Sequence, residues 1–242
     1  MMQAEHDLTA WLWATPNSNR VSILFEELGL AYRAIGVNIR KREQFDPAIL
    51  AMNPYGKIPV VAWRETAAAD APRHVLFESG AMLLYLAEKT DQLMPTDLQG
   101  RMEVLKWLFW QVGGLGPMAG QIGHFNVYAP ERVPYAIERY TKETNRLYGV
   151  LNRRLADRPF IAGEAYTIAD IATYPWIVPH EGHGQNLDDF PHLQRWFEAV
   201  AARPATVRAY AGVQKAYSRR REDISEDERR VLLGQTADSV AR

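Results

Sequence analysis

The sequence predicts an α/β unit joined to an all-α unit. Two observations carry this. Strand and helix signals alternate over the first ninety or so residues, and from Arg101 onward the strand signal fades and helical periodicity takes over. A chain of 242 residues, 47% hydrophobic and 24% charged, is long enough for both, since about two-thirds of its unfolded surface can be buried. The expected divisions are 1–92 for the α/β unit, 93–100 for a linker, 101–218 for the helical unit and 219–242 for a charged tail.

Each element follows from local pattern. The apolar run Leu8–Ala14 reads as a buried strand, Asn19–Leu28 as a helix closed by Gly29, and Ala31–Ile39 as a second strand. Ile58–Trp63 and Val75–Phe77 read as further short strands, separated by the polar, Pro-containing segment 65–73. Ala81–Lys89 reads as a helix. The order β-α-β, then β-β-α, describes a small unit with a mixed sheet. In the second half, Met102, Leu105, Leu108 and Val112 keep helical spacing until Gly113-Gly114-Leu115-Gly116-Pro117, where a kink or break is expected. Ile137, Tyr140, Thr144, Leu147 and Leu151 form a second stripe. Thr167-Ile168-Ala169-Asp170 has the form of a capping box, with Asp where Glu is usual, and should start a buried helix running towards Trp176. Residues 191–202 read as one more short helix. Arg219–Arg230 mixes basic and acidic residues with one aliphatic and reads as a solvated or frayed tail.

Composition excludes several classes. Lys plus Arg number 28 and Asp plus Glu 29, a net charge of −1, so there is no basic footprint for nucleic acid. No apolar run approaches the roughly 18 residues of a membrane span. The first residues, MMQAEHDL, lack the basic and apolar regions of a secretory signal, which makes the cytoplasm the expected compartment. Zero cysteines exclude disulfides, cysteine nucleophiles and thiolate metal sites, and the six histidines show no metal-ligand spacing.

Three places in the α/β unit bear on chemistry. Thr15-Pro16-Asn17-Ser18 joins the first strand to the first helix, the corner where thioredoxin-like folds place a reactive Cys-x-x-Cys. On local grounds it is a turn plus helix cap. The alternative is that hydroxyl and amide donors, with the free N–H groups of the helix, face a bound thiolate, since a helix N-terminus lowers a thiol pKa from about 8.5. Asn53-Pro54-Tyr55-Gly56-Lys57-Ile58-Pro59 is either a turn or, with a cis bond at Pro59, an edge whose backbone groups are open to an extended peptide. Lys57 is either a surface lysine or a partner for a ligand carboxylate. At Glu78-Ser79-Gly80-Ala81, Ser79 reads as an N-cap. The same helix start is an anion site, and Glu78 beside it suits an adjacent ammonium, so the pair describes a site for an α-amino acid end group.

Together these places resemble the glutathione-binding domain of glutathione S-transferases, over a stretch from about Leu8 to Tyr217. The longer matches are to the Nu class of bacterial transferases, similar to disulfide-bond reductases and to the globular part of the yeast prion-forming nitrogen regulator. They run through Thr15-Pro16-Asn17, Phe77-Glu78-Ser79-Gly80-Ala81 and Leu84-Tyr85-Leu86-Ala87-Glu88-Lys89. They continue through residues 107–118 (WLFWQVGGLGPM) and 134–140 (PYAIERY). The resemblance implies an N-terminal thioredoxin-like domain and a C-terminal all-helical domain. It also implies Thr15 and Asn17 beside the glutathione sulfur, Gln44 and Ile58 on the peptide backbone, and Glu78 and Ser79 at the γ-glutamyl end. Arg139 would reach a glutathione carboxylate, with Lys57 as a further candidate. Arg139 sits roughly 200° round its helix from Ile137, which by itself describes a solvated face.

The implied activity is glutathione-dependent disulfide-bond reduction in which every exchanging sulfur belongs to glutathione or its substrate. The alternatives are attack on an aryl ether or another electrophile, and a non-catalytic regulator. Phe109, Phe125, Tyr128 and Trp176 are candidates for the acceptor wall, while Trp107 and Trp110 read as core. The implied partners are glutathione, a small disulfide or electrophile and a second copy of the chain, with no metal, nucleic acid or membrane.

Overall fold

The computed structural model describes residues 6–68, 70–211 and 224–240. Strand β1 (His6–Leu12) leads through Thr15 into helix α1 (Pro16–Glu27). This helix begins earlier than the pattern predicts, because Thr15 rather than a later residue is its cap. Thr15 is extended, its hydroxyl oxygen accepts the Ser18 N–H at 3.2 Å, and Pro16 takes the first helical position. Asn17 and Ser18 therefore lie inside the first turn.

The remaining strands, β2 (Arg33–Gly36), β3 (Val60–Arg64) and β4 (Arg73–Phe77), complete a mixed sheet in the order β2-β1-β3-β4. β2 runs parallel to β1; β3 pairs antiparallel with both β1 and β4. The ladder of β3 starts at Val60, beyond the Pro that cannot donate to it, so Ile58 is left out of the strand. Between β2 and β3 lie two 3-10 turns, Ile39–Lys41 and Glu43–Phe45, and the single-turn helix α2 (Pro47–Leu50). These are too short to leave a periodic pattern in the sequence.

Helix α3 (Ser79–Thr90) packs against the sheet. Ser79 is its first helical residue, not its cap as the sequence suggested. Glu78 holds the cap position at φ +70°, and no side chain caps the helix. α4 (Leu98–Trp110) starts inside the segment read as a linker, because Asp97 caps it by accepting the Gly100 N–H at 2.9 Å. The break expected at 113–117 takes the form of a π-helical turn, Gln111–Leu115, leading into α5 (Gly116–Gly123). A second π turn, His124–Tyr128, closes α5, and α6 (Pro134–Arg154) buries Thr144, Leu147, Tyr148 and Leu151.

The capping box opens α7 (Ile168–Ile177), nearly all of which is buried. Its Asp170 is fully buried. One carboxylate oxygen accepts the Ile161 N–H at 2.9 Å and the Trp196 indole N–H at 2.8 Å. The other accepts the Thr167 N–H at 2.9 Å and the Thr167 hydroxyl at 3.2 Å. α8 (Pro191–Ala201) contributes Trp196, and α9 (Pro204–Ala211) lies against α1. Arg203 donates two hydrogen bonds, 2.6 and 2.9 Å, to the Glu27 carboxylate and fastens the far end of α1.

Residues 212–223, which include the expected boundary at 218 and the first part of the charged tail, lie outside the described residues. The later part differs from a solvated tail. Ser225 and Glu228 form a capping box, and α10 (Glu226–Leu233) packs on the 39–41 turn. Glu228 pairs with Arg40 at 3.3 Å, and the Lys57 ammonium donates to the Gln235 carbonyl oxygen at 3.1 Å. Among the described residues no helix is long and apolar enough to cross a membrane.

Asp170→Ala should lower unfolding free energy by about 3 kcal/mol or more, because it strands several buried donors at once. A urea titration followed by tryptophan fluorescence measures this.

Candidate active site

The corner at Thr15–Ser18 opens onto a cavity of about 720 Å³. Thr15 and Asn17 line it at the start of α1, Gly120 and Tyr128 on α5 and the π turn behind it, Trp176 and Val178 at the end of α7, and Leu232 and Leu233 on α10. The wall is chiefly aliphatic and aromatic, with polar groups gathered at the corner and at Glu181 and His183.

The Thr15 hydroxyl is engaged within the corner. Besides accepting from the Ser18 N–H, it donates to the Ser18 hydroxyl oxygen at 3.2 Å, which in turn accepts the Trp13 N–H at 3.3 Å. The Asn17 carboxamide is held differently. Its oxygen accepts from the Arg20 guanidinium at 2.7 Å and from the Trp176 indole N–H at 3.2 Å. Arg20, one turn along α1, is buried, and burial pulls its guanidinium down to about 9 while the negative charge of Glu78 opposes that pull.

Gln44, Lys57, Ile58, Glu78 and Ser79, also singled out from the sequence, lie on neighbouring parts of the α/β unit and not on the wall of this cavity. Gln44, in the second 3-10 turn, is 2% exposed, and its amide oxygen meets no donor among the described residues. The Ile58–Pro59 bond is cis. Lys57 points its ammonium at Gln235 and over the Tyr55 ring, so the C-terminal segment meets it. Ser79 is buried at the uncapped start of α3, next to the exposed Glu78. That start leaves the first amides of the helix to an anion. Arg139 stands on the exposed face of α6, 53% exposed and 3.6 Å from Glu143, apart from the cavity wall. Of the aromatics proposed for the wall, Tyr128 and Trp176 are there. Phe125 stacks on Tyr140 instead, and Phe109 is exposed on α4.

Four residues escape a reading of the sequence. Arg20 is three residues from Asn17, the spacing at which helix side chains meet, but its burial has no local signature. His183, on the cavity wall, is one of six histidines without metal-ligand spacing and has no local pattern that marks it. Leu232 and Leu233 follow a run of charges. Among the described residues there is no group of three or more His, Asp or Glu that would hold a metal ion.

Comparison with known proteins decides the family. The model of the glutathione S-transferase N-terminal domain matches residues 14–89, and that of the glutathione S-transferase C-terminal domain matches residues 117–204. The chain belongs to the glutathione S-transferase family. It is 47% identical over 200 residues to the disulfide-bond oxidoreductase YfcG of Escherichia coli, covering 83% of this chain and 93% of that one. This places it with the Nu-class, disulfide-oxidoreductase-like branch, as the motifs implied. A glutathione transferase from Burkholderia graminis, solved with two glutathione molecules per subunit, is 40% identical and superposes with a TM-score of 0.79 over 87% of this chain and 90% of that one. One from Pseudomonas putida, solved with one glutathione disulfide per subunit, is 37% identical with a TM-score of 0.77 over 84% and 90%.

Glu78 at φ +70° and ψ 102° occupies backbone space that costs a residue with a Cβ about 1–3 kcal/mol. Glu78→Gly and Glu78→Ala both delete the carboxylate, and only glycine relieves the backbone. The glycine variant should be the more stable of the two by about 1 kcal/mol, measured by chemical denaturation.

Proposed function

We propose that this protein is a glutathione-dependent disulfide-bond oxidoreductase that works with a borrowed thiolate and no cysteine of its own. The observation that carries the reading is the cysteine-free corner. The start of α1, with Thr15 and Asn17, faces the cavity at the position where a cysteine pair would otherwise sit. Three features support glutathione as the molecule bound beside it. The uncapped start of α3 with Ser79 and Glu78 suits a carboxylate next to an ammonium. The unpaired Gln44 amide oxygen suits a peptide N–H, and the Ile58 backbone lies outside the strand ladder. Lys57 is a further candidate for a carboxylate. Arg139 needs a change of partner from Glu143 to reach one, which makes it the weakest member of the proposed set.

Glutathione supplies the thiol, and the protein's part is to favour its thiolate and align it. The sulfur attacks one sulfur of the acceptor disulfide. A new S–S bond forms, the old one breaks, and the released thiolate takes a proton from water. A second glutathione resolves the mixed disulfide, so two glutathiones become one glutathione disulfide and the acceptor becomes two thiols. Asn17, with the amides and dipole of α1, stabilises the attacking thiolate; Thr15 contributes once its hydroxyl proton turns from Ser18. A second reading is favoured by the cavity wall. Tyr128, Trp176, Leu232 and Leu233 suit an aromatic acceptor, so the same thiolate would displace the oxygen of an aryl ether.

The reduced glutathione pool of the cytoplasm fits this donor. We also infer a homodimer: Leu98, Met102 and Phe109 share one exposed apolar face of α4.

Thr15→Ala and Asn17→Ala should each lower glutathione-dependent reduction of hydroxyethyl disulfide, and unchanged rates in both would remove the corner from the mechanism. Parallel turnover of a β-aryl ether separates the two acceptor classes. Sedimentation should return a dimer, and Phe109→Asp should shift it towards monomer.

A further inference from the structure

The Asn17 carboxamide has two ends, and its neighbours fix which one is already engaged. Arg20 and the indole of Trp176 are donors only; neither can accept a hydrogen bond. Both lie within hydrogen-bond distance of the same Asn17 atom, at 2.7 and 3.2 Å, so that atom must be the oxygen. The opposite orientation would set an NH2 group against two donors. With the oxygen engaged twice, the NH2 group is left without a partner among the described residues, on a side chain that lines the cavity. A carboxamide whose oxygen accepts from a guanidinium is polarised, and its N–H groups become stronger donors.

The two pins come from different parts of the chain. Arg20 shares α1 with Asn17, whereas Trp176 is on α7, 159 positions away. The indole is itself seated firmly. A Cβ at Gly116 would approach its ring at 3.5 Å and one at Gly120 at 3.6 Å, so the ring lies on the glycine face of α5.

We propose that Trp176 and Arg20 are positioning residues that lock the Asn17 amide with its N–H groups towards the glutathione sulfur and so lower the pKa of the bound thiol. The inference rests on the reading of Asn17 as the thiolate donor. It adds that an aromatic residue standing in the acceptor wall acts on the sulfur before any acceptor arrives.

The test is a pH titration of the thiolate absorbance of bound glutathione, without acceptor, in the wild type, Asn17→Ala, Trp176→Phe and the double variant. Phenylalanine keeps the ring against α5 and removes only the N–H. One hydrogen bond corresponds to a shift of up to about one pH unit. Trp176→Phe should therefore raise the apparent thiol pKa by about half a unit, with a roughly threefold loss of kcat/KM below that pKa that fades at higher pH. The double variant should titrate like Asn17→Ala alone. In the protein without glutathione, the Trp176 indole N–H should exchange with solvent faster in Asn17→Ala than in the wild type. If Asn17→Ala moves the titration and Trp176→Phe does not, or if the two shifts add, the positioning role is wrong while the Asn17 reading stands. If Asn17→Ala itself leaves the titration unmoved, the Asn17 reading fails and takes the inference with it. Should Trp176→Phe not fold, Arg20→Lys tests the other pin by the same titration.

Discussion

The geometry of the site depends on a carboxylate that never touches it. Asp170 is fully buried and gathers four donors from three separate stretches of chain, at Ile161, Thr167 and Trp196. Burial pushes its pKa up, and the four hydrogen bonds push the other way. A charge in that position is tolerable only when fully coordinated. The coordination fixes where α7 starts and how it lies against the loop before it and α8 behind it. α7 packs on α1, α3, α4 and α5 and carries Trp176 near its end, so a hydrogen-bond knot at one end of the helix sets the indole at the other.

The corner divides its labour between two side chains that look interchangeable in a motif. Thr15 spends its hydroxyl on the start of α1 and on Ser18, which makes the turn rigid. Asn17 spends only its oxygen, and spends it twice. A protein without a thiol must bring the sulfur in and hold it in register with the helix amides, and a rigid corner meets that need better than a mobile one. Because one pin of Asn17 belongs to the α/β unit and the other to the helical unit, small movements between the two units are felt at its carboxamide.

Much of this was legible in the residues, and the gaps have physical causes. The alternation of strand and helix, the Thr167–Asp170 capping box and the break after Val112 all rest on local signals, and all appear in the fold. The break took a π form because hydrogen-bond register inside a helix is invisible to apolar spacing. The starts of α1 and α3 lie three and two residues before the expected ones, since a cap is decided by the dihedral angles of a single residue: Thr15 extended, Glu78 at positive φ. Motif matching singled out Thr15 and Asn17, which line the cavity, but said nothing of Arg20, whose burial has no local signature. It set Arg139 beside the rest, whereas the helix phase had pointed to the solvated face where it lies paired with Glu143. The C-terminal segment differs from a solvated tail because its Glu228 and Gln235 meet neighbours far off in sequence, Arg40 and Lys57.

That last segment has a consequence for how the acceptor end can change. Every group proposed for the sulfur and the peptide is built from the first 80 residues except the indole pin and Arg139, while Leu232 and Leu233 sit on a helix of its own, anchored by Glu228 and Gln235 to the outer rim. One wall of the cavity is thus a detachable tile. Exchanging its two leucines redraws the space offered to an acceptor and leaves the thiolate machinery where it was.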